Sequence, residues 1–127
     1  MSRRIVRTEE APQAIGPYSQ AVVCSGFVYV AGQLALDPRT GQLVPGDVRI
    51  QTKRVMENIK AILEGAGSSL ARVVKTTVFL RDLNDFGAMN EIYGSYFQED
   101  PPARSTVQVA KLPRDGVVEI EVVALET

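Results

Sequence analysis

The chain has no histidine, and Cys24 is its single cysteine. Without an imidazole, Ser-His-Asp and Cys-His nucleophile systems are excluded, and the usual zinc sites go with them. One cysteine also excludes an internal disulfide. No apolar run approaches the length that spans a bilayer, and the opening segment MSRRIVRTEEAP carries positive charge with no apolar stretch behind it, so a cytoplasmic protein with no membrane partner is expected. Excess positive charge is missing too. With 14 basic and 15 acidic side chains the net charge is −1, which provides no bulk field for a phosphate backbone and disfavours nucleic acid as a general partner. No phosphate loop or metal-ligand cluster is legible.

What is present is ordinary globular usage. Hydrophobic residues make up 45% and charged residues 23% of 127 positions, the size of one domain, expected to span residues 1–127. In AVVCSGFVYVAG, Ser25 and Gly26 separate two apolar runs, which predicts a hairpin over residues 20–33. LDPRTGQLVPGD reads as a loop. From Asp47, a candidate N-cap, Val48, Val55, Met56, Ile59, Ile62, Leu63 and Ala66 recur at helical spacing, and Gly65 and Gly67 end the run. Glu57, Asn58 and Lys60 are then expected on the wet face of that helix. RVVKTTVFLRD predicts a central strand, and Phe86, Met89, Asn90, Tyr93 and Phe97 predict a second helix with Asn90 partly buried. Two strands at about residues 104–110 and 117–125 follow.

The order of elements predicts an α+β layer, one mixed sheet with both helices on one face. Alternation along the last strand sends Val118, Ile120, Val122 and Ala124 to the core and Glu119, Glu121, Val123 and Leu125 to the far side. The same rule, applied to the strand before it, sends Val107 and Val109 inward and leaves Arg104, Thr106 and Gln108 beside Glu119. Either Val73 and Phe79 or Val74 and Val78 join that far face. Its apolar content predicts self-association.

Arg104 and Glu119, expected on one face, have the chemistry to clamp an anion and handle a proton; by pattern alone they read more readily as solvated or mutually bridged charges. Tyr18, after Gly16 and Pro17, is offered by a turn, and by pattern alone it reads more readily as a structural turn residue. Gly32 marks either a bend or a close approach of backbone to a ligand. Cys24, in an apolar strand with no nearby base, reads as a packed thiol.

Five ordered segments, AIGPYSQAV, VYVAGQ, VVKTTVFLRDLNDFGAMNEIYGSYF, PPARSTVQVAKLP and VEIEVVA, resemble the RidA (YjgF) family of reactive-intermediate imine deaminases from about Ala11 to Leu125. The resemblance implies a chorismate-mutase-like fold with two helices on one face of a mixed sheet, and a homotrimer with sites in the clefts between subunits. It implies hydrolysis of small-molecule 2-imino acids, 2-iminopropanoate and 2-iminobutanoate, to 2-keto acids and ammonia, with no cofactor and no metal. It places the carboxylate-binding arginine on Arg104, the water-activating glutamate on Glu119 and the motif tyrosine on Tyr18, with Gly32 as the backbone-contact glycine and Asn90 as the helix asparagine. Thr106, also in the implied binding set, stands where many members have cysteine, and Ala31 where many have serine; the backbone at the first position is thought to do the binding. Some members are described as endoribonucleases or translation inhibitors, and a non-catalytic metabolite-binding trimer is the other rival reading.

Overall fold

Ser25 and Gly26 both take left-handed backbone, with φ of 53° and 85°. That pair closes a two-residue hairpin whose twist matches its strands. The strands are β2 (Ala21–Cys24) and β3 (Phe27–Gln33), as expected. Before them lies a strand that sequence pattern misses, β1 (Arg3–Val6), antiparallel to β2 at the sheet edge. Only Val6 of its four residues is buried, so RRIV has almost no alternation to detect. The structure, a computed structural model, describes residues 2–127.

Helix α1 (Val48–Gly65) begins where Asp47 Oδ1 accepts from the Ile50 N–H, satisfying one of the donors a helix N-terminus leaves free. It buries Val55, Met56, Ile59, Ile62 and Leu63, all 0% exposed. Burying each contributes about 1.5–3 kcal/mol, and Ile59→Ala would cost about 2–5 kcal/mol. After β4 (Val73–Leu80), helix α2 (Phe86–Tyr96) carries the chain over to β5 (Ala103–Gln108), parallel to β4. The last strand, β6 (Val118–Leu125), enters between β3 and β4, antiparallel to both. The six strands run β1-β2-β3-β6-β4-β5, one mixed sheet whose helices share a face, so the α+β expectation holds with one strand added.

Alternation along β6 is as expected: Val118, Ile120, Val122 and Ala124 are at most 2% exposed beneath the helices. In β4 neither expected pair is right. Register shifts between Val73 and Lys75, an irregularity that leaves Val73 and Val78 in the core and puts exposed Val74 and half-buried Phe79 elsewhere. Asn58 is also not on a wet face. It is 0% exposed, donates to the carbonyls of Leu34 and Leu36, and accepts from Arg54 Nε. Its spacing, three residues after Val55 and four before Ile62, was the signal for the apolar stripe, which its polar type had masked. The face of the sheet away from the helices presents Ile5, Phe27, Tyr29, Val107 and Leu125, each 36–48% exposed. Among the described residues, no helix is long and apolar enough to cross a membrane.

Candidate active site

The phase of β5 reverses the expectation for Arg104. Residues directly opposite one another in a ladder share a face. Thr76 pairs with Arg104 and Val78 with Thr106, while on its other side β4 pairs the same two residues with core Val122 and Ile120. Arg104 and Thr106 therefore lie on the helix face, and Val107, 43% exposed, lies on the open one. Glu119, opposite Phe79, is on the open face. Arg104 and Glu119 do not share a face within one chain. Alternation fixes which residues of ARSTVQ travel together but not which set turns inward, and here aromatic rings of α2 cover the arginine.

Those rings define the arginine's surroundings. Its Cζ lies 4.7 Å from the centroid of Tyr93 and 5.3 Å from that of Phe86, and its Nη1 donates to Asn90 Oδ1 at 2.6 Å. Phe86, Asn90 and Tyr93 stand at helical positions i, i+4 and i+7, one face of α2. Asn90 is exposed rather than partly buried, and its partner is the guanidinium. Nη1–Asn90 is the one close hydrogen bond of the guanidinium among the described residues; the Tyr93 hydroxyl feels the guanidinium more weakly, and no carboxylate pairs with Arg104 there. A depression of about 400 Å³, lined by Asn90, Tyr93, Phe97, Pro102 and Arg104, opens beside it. A planar guanidinium with one donor pinned and a pair remaining can take a carboxylate through parallel hydrogen bonds. Thr106, in the same row of β5, has a buried hydroxyl with no partner among the described residues.

Glu119 belongs to a different neighbourhood. Between Val30–Val122 and Gln33–Ile120 the β3–β6 register slips, so Ala31 and Gly32 form a bulge opposite this strand. The Glu119 side chain lies against Gly32 so closely that a Cβ built there would collide with the carboxylate. That requirement accounts for the glycine. Glu119 is half-buried; burial, and secondarily the Glu121 carboxylate, push its pKa above the usual glutamate value. The Ala31 N–H donates to the Gln20 carbonyl at 2.9 Å, tying the bulge to the segment that carries Tyr18. Tyr18 is 53% exposed, with its hydroxyl accepting from the Ile15 N–H. Gln20, 3% exposed, holds this loop through Thr8, Ala11 and Pro12.

The sequence-predicted residues thus fall into two groups. Gly32 and Glu119 meet where β3 lies beside β6, with Tyr18 on the loop tied to that bulge through Gln20, whereas Arg104, Asn90 and Thr106 are gathered around the opposite edge strand. From β6 to β5 is two strand spacings, about 10 Å, and Glu119 faces the opposite side of the sheet from Arg104 and Thr106. Sequence reading missed Phe86 and Tyr93 as neighbours of Arg104, although their helical spacing with Asn90 was the available signal.

A family model described as Endoribonuclease L-PSP matches residues 8–126. A RutC family protein of Pyrococcus abyssi is 56% identical, the match covering 98% of each chain. The 2-iminobutanoate/2-iminopropanoate deaminase of Mus musculus is 52% identical across 98% of this chain and 92% of its own. Among solved structures, Escherichia coli TdcF with bound serine superposes with a TM-score of 0.93 at 45% identity, covering 98% of this chain and 99% of the other.

Proposed function

The chain belongs to the RidA (YjgF) family, and from that premise we propose that it hydrolyses reactive 2-imino acids to 2-keto acids and ammonia at a site shared between copies of itself. The observation that carries the proposal is the division just described. Arg104 offers a pair of donors suited to a planar carboxylate, while the half-buried candidate base, Glu119, sits on the opposite face. In a 2-imino acid the reacting carbon is bonded to the carboxylate carbon, so clamp and base must meet within a few ångströms. One chain does not bring them together; the Arg104 edge of one copy set against the Tyr18–Gly32–Glu119 region of the next does.

The apolar open face supports the same arrangement, because Phe27, Tyr29 and Leu125 gain most from burial against another copy. A cyclic homotrimer follows from the family pattern, and Tyr18 is our candidate for the wall contributed by the neighbour. Light scattering at micromolar concentration tests this; a monomer contradicts it.

At such a site the steps balance without a cofactor. Arg104 holds the carboxylate, and Glu119 takes a proton from water as the oxygen bonds to the imine carbon and the C=N electron pair moves to nitrogen. The protonated Glu119 returns its proton to that nitrogen. The C–N bond then breaks as the hydroxyl proton, relayed through Glu119, is delivered to the departing nitrogen, so that ammonia leaves, the carbonyl forms and Glu119 is again a carboxylate. Gly32 leaves room for the carboxylate, and the Thr106 backbone, not its hydroxyl, lies along the substrate. A small amino-acid-like ligand is consistent with the serine bound in the E. coli relative. The setting is cytoplasmic, alongside the enzymes that generate such imines.

The ribonuclease reading carried by the family description has less behind it, since a chain of net charge −1 without histidine offers little to hold or cleave a phosphodiester. The deciding experiment couples a serine or threonine dehydratase to this protein and follows semicarbazide trapping of the released imine. Faster clearance, seen as less semicarbazone, supports the deaminase; unchanged trapping with tight keto-acid binding selects the non-catalytic trimer.

A further inference from the structure

Arg104 has three points of contact on its own chain, and one of them is itself held from an unexpected direction. Tyr93, 5% exposed, passes beneath the guanidinium, and its hydroxyl shares a 2.7 Å hydrogen bond with that of Thr76, which is 0% exposed in the central strand β4. Thr76 is also the residue opposite Arg104 in the β4–β5 ladder. The contacts close into a triangle: backbone register joins Thr76 to Arg104, the hydroxyl pair joins Thr76 to Tyr93, and the ring joins Tyr93 to the guanidinium. We infer that Tyr93 is a positioning residue, which with Thr76 and Phe86 sets the plane of the Arg104 guanidinium so that its Nε and Nη2 donors stay turned toward an incoming carboxylate.

An arginine side chain on an edge strand has several free torsions, and holding it in one geometry costs entropy at each binding event unless it is paid in folding. A cation is drawn to the face of an aromatic ring, and a ring fixed in a core constrains the cation's position. Asn90, being exposed, pins one donor but cannot by itself fix the plane. Burial raises the Tyr93 pKa, which keeps its hydroxyl neutral and bonded to Thr76 over the working range of pH. A tyrosine–threonine pair placed only to satisfy two buried hydroxyls would not need its ring under the guanidinium.

The inference rests on Arg104 gripping the substrate carboxylate, so its test has one arm that depends on activity and one that does not. Tyr93→Phe keeps the ring, and Tyr93→Leu removes it at similar apolar character. In the dehydratase-coupled assay the Phe variant, which keeps the ring but cuts its tether to Thr76, should raise KM about threefold, whereas Leu, which removes both, should raise it about tenfold or more, with kcat nearly unchanged in each because the carboxylate is held alike in ground and transition states. Nitrogen-15 NMR of the Arg104 Nε–H, in protein without ligand, should show solvent exchange accelerated about tenfold in the Leu variant and about threefold in the Phe variant. Phe86→Leu, at a position 39% exposed, gives the same readouts with smaller shifts should the Leu variant at the buried site fail to fold. Loss of kcat and KM together in step with melting temperature would overturn the inference, as would an unchanged Nε–H exchange rate in both ring-removing variants. If the parent protein clears no imine, the deaminase reading falls, and the exchange measurement still decides whether Tyr93 positions Arg104.

Discussion

Replacing Arg104 with lysine keeps the positive charge and removes the fork. In the structure Nη1 is already engaged with Asn90 at 2.6 Å, which leaves Nε and Nη2 as the pair for a ligand. A lysine ammonium is a single point of charge on a flexible stem; it can meet Asn90 or one carboxylate oxygen but cannot present two parallel donors in a plane fixed by rings. A hydrogen bond to a charged group contributes about 1.5–3 kcal/mol, and about 1.4 kcal/mol is a factor of ten. Losing one prong therefore predicts a drop in kcat/KM of about tenfold to a hundredfold, more if orientation is lost with it. Stability should change little, because Arg104 forms no ion pair among the described residues and is only half-buried. Semicarbazide competition measures the first quantity and thermal melting the second, on one preparation. Activity within about threefold of the parent, accompanied by a lower melting temperature, would refute the clamp and make Arg104 a structural charge.

Glu119→Gln should slow imine hydrolysis about 10²-fold or more while ligand binding persists, and in the parent the acid limb of the pH profile should lie above the ordinary carboxylate range. Because the folded pKa is raised, ionising Glu119 opposes folding: the penalty is absent below the unfolded value, grows as pH rises toward the folded value and is complete above it. The Gln variant should accordingly melt higher than the parent at neutral pH, with the gap closing in acid; a constant gap would contradict the burial. Gly32→Ala sets a methyl against the Glu119 carboxylate and should cut activity with a far smaller loss of stability, so a fully active alanine variant would separate the bulge from the chemistry. Thr106→Val removes a buried hydroxyl without a partner and should gain about 1 kcal/mol in denaturant titration with kcat/KM within about threefold. A folded valine variant with much lower activity would instead give that hydroxyl a place at the substrate.

The features legible in the sequence are those written locally. The Ser25–Gly26 turn, the Asp47 cap, the period of α1 and the alternation of β6 each need only a few neighbours to specify them. The face of Arg104 was not legible, because a strand's two sets of side chains are exchanged by the choice of partner and cover, here β4 and the rings of α2. β1 escaped because its pairing with β2 supplies what its four residues do not signal. The residue types at the candidate site were visible; that they form two groups, with Glu119 on the opposite side of the sheet from Arg104 and Thr106, was not, since that is a property of strand order.

That division gives the most direct test of a site shared between copies. Arg104→Ala and Glu119→Gln variants are each purified as inactive protein, unfolded together, refolded as a mixture in equal amounts and assayed for imine clearance. In a ring where each site takes Arg104 from one chain and Glu119 from the next, random assembly makes about one quarter of the sites intact, so about a quarter of parental activity should return. If both residues of each site come from the same chain, every mixed assembly carries a defect in every site, and activity no higher than the sum of the two inactive variants would contradict the account.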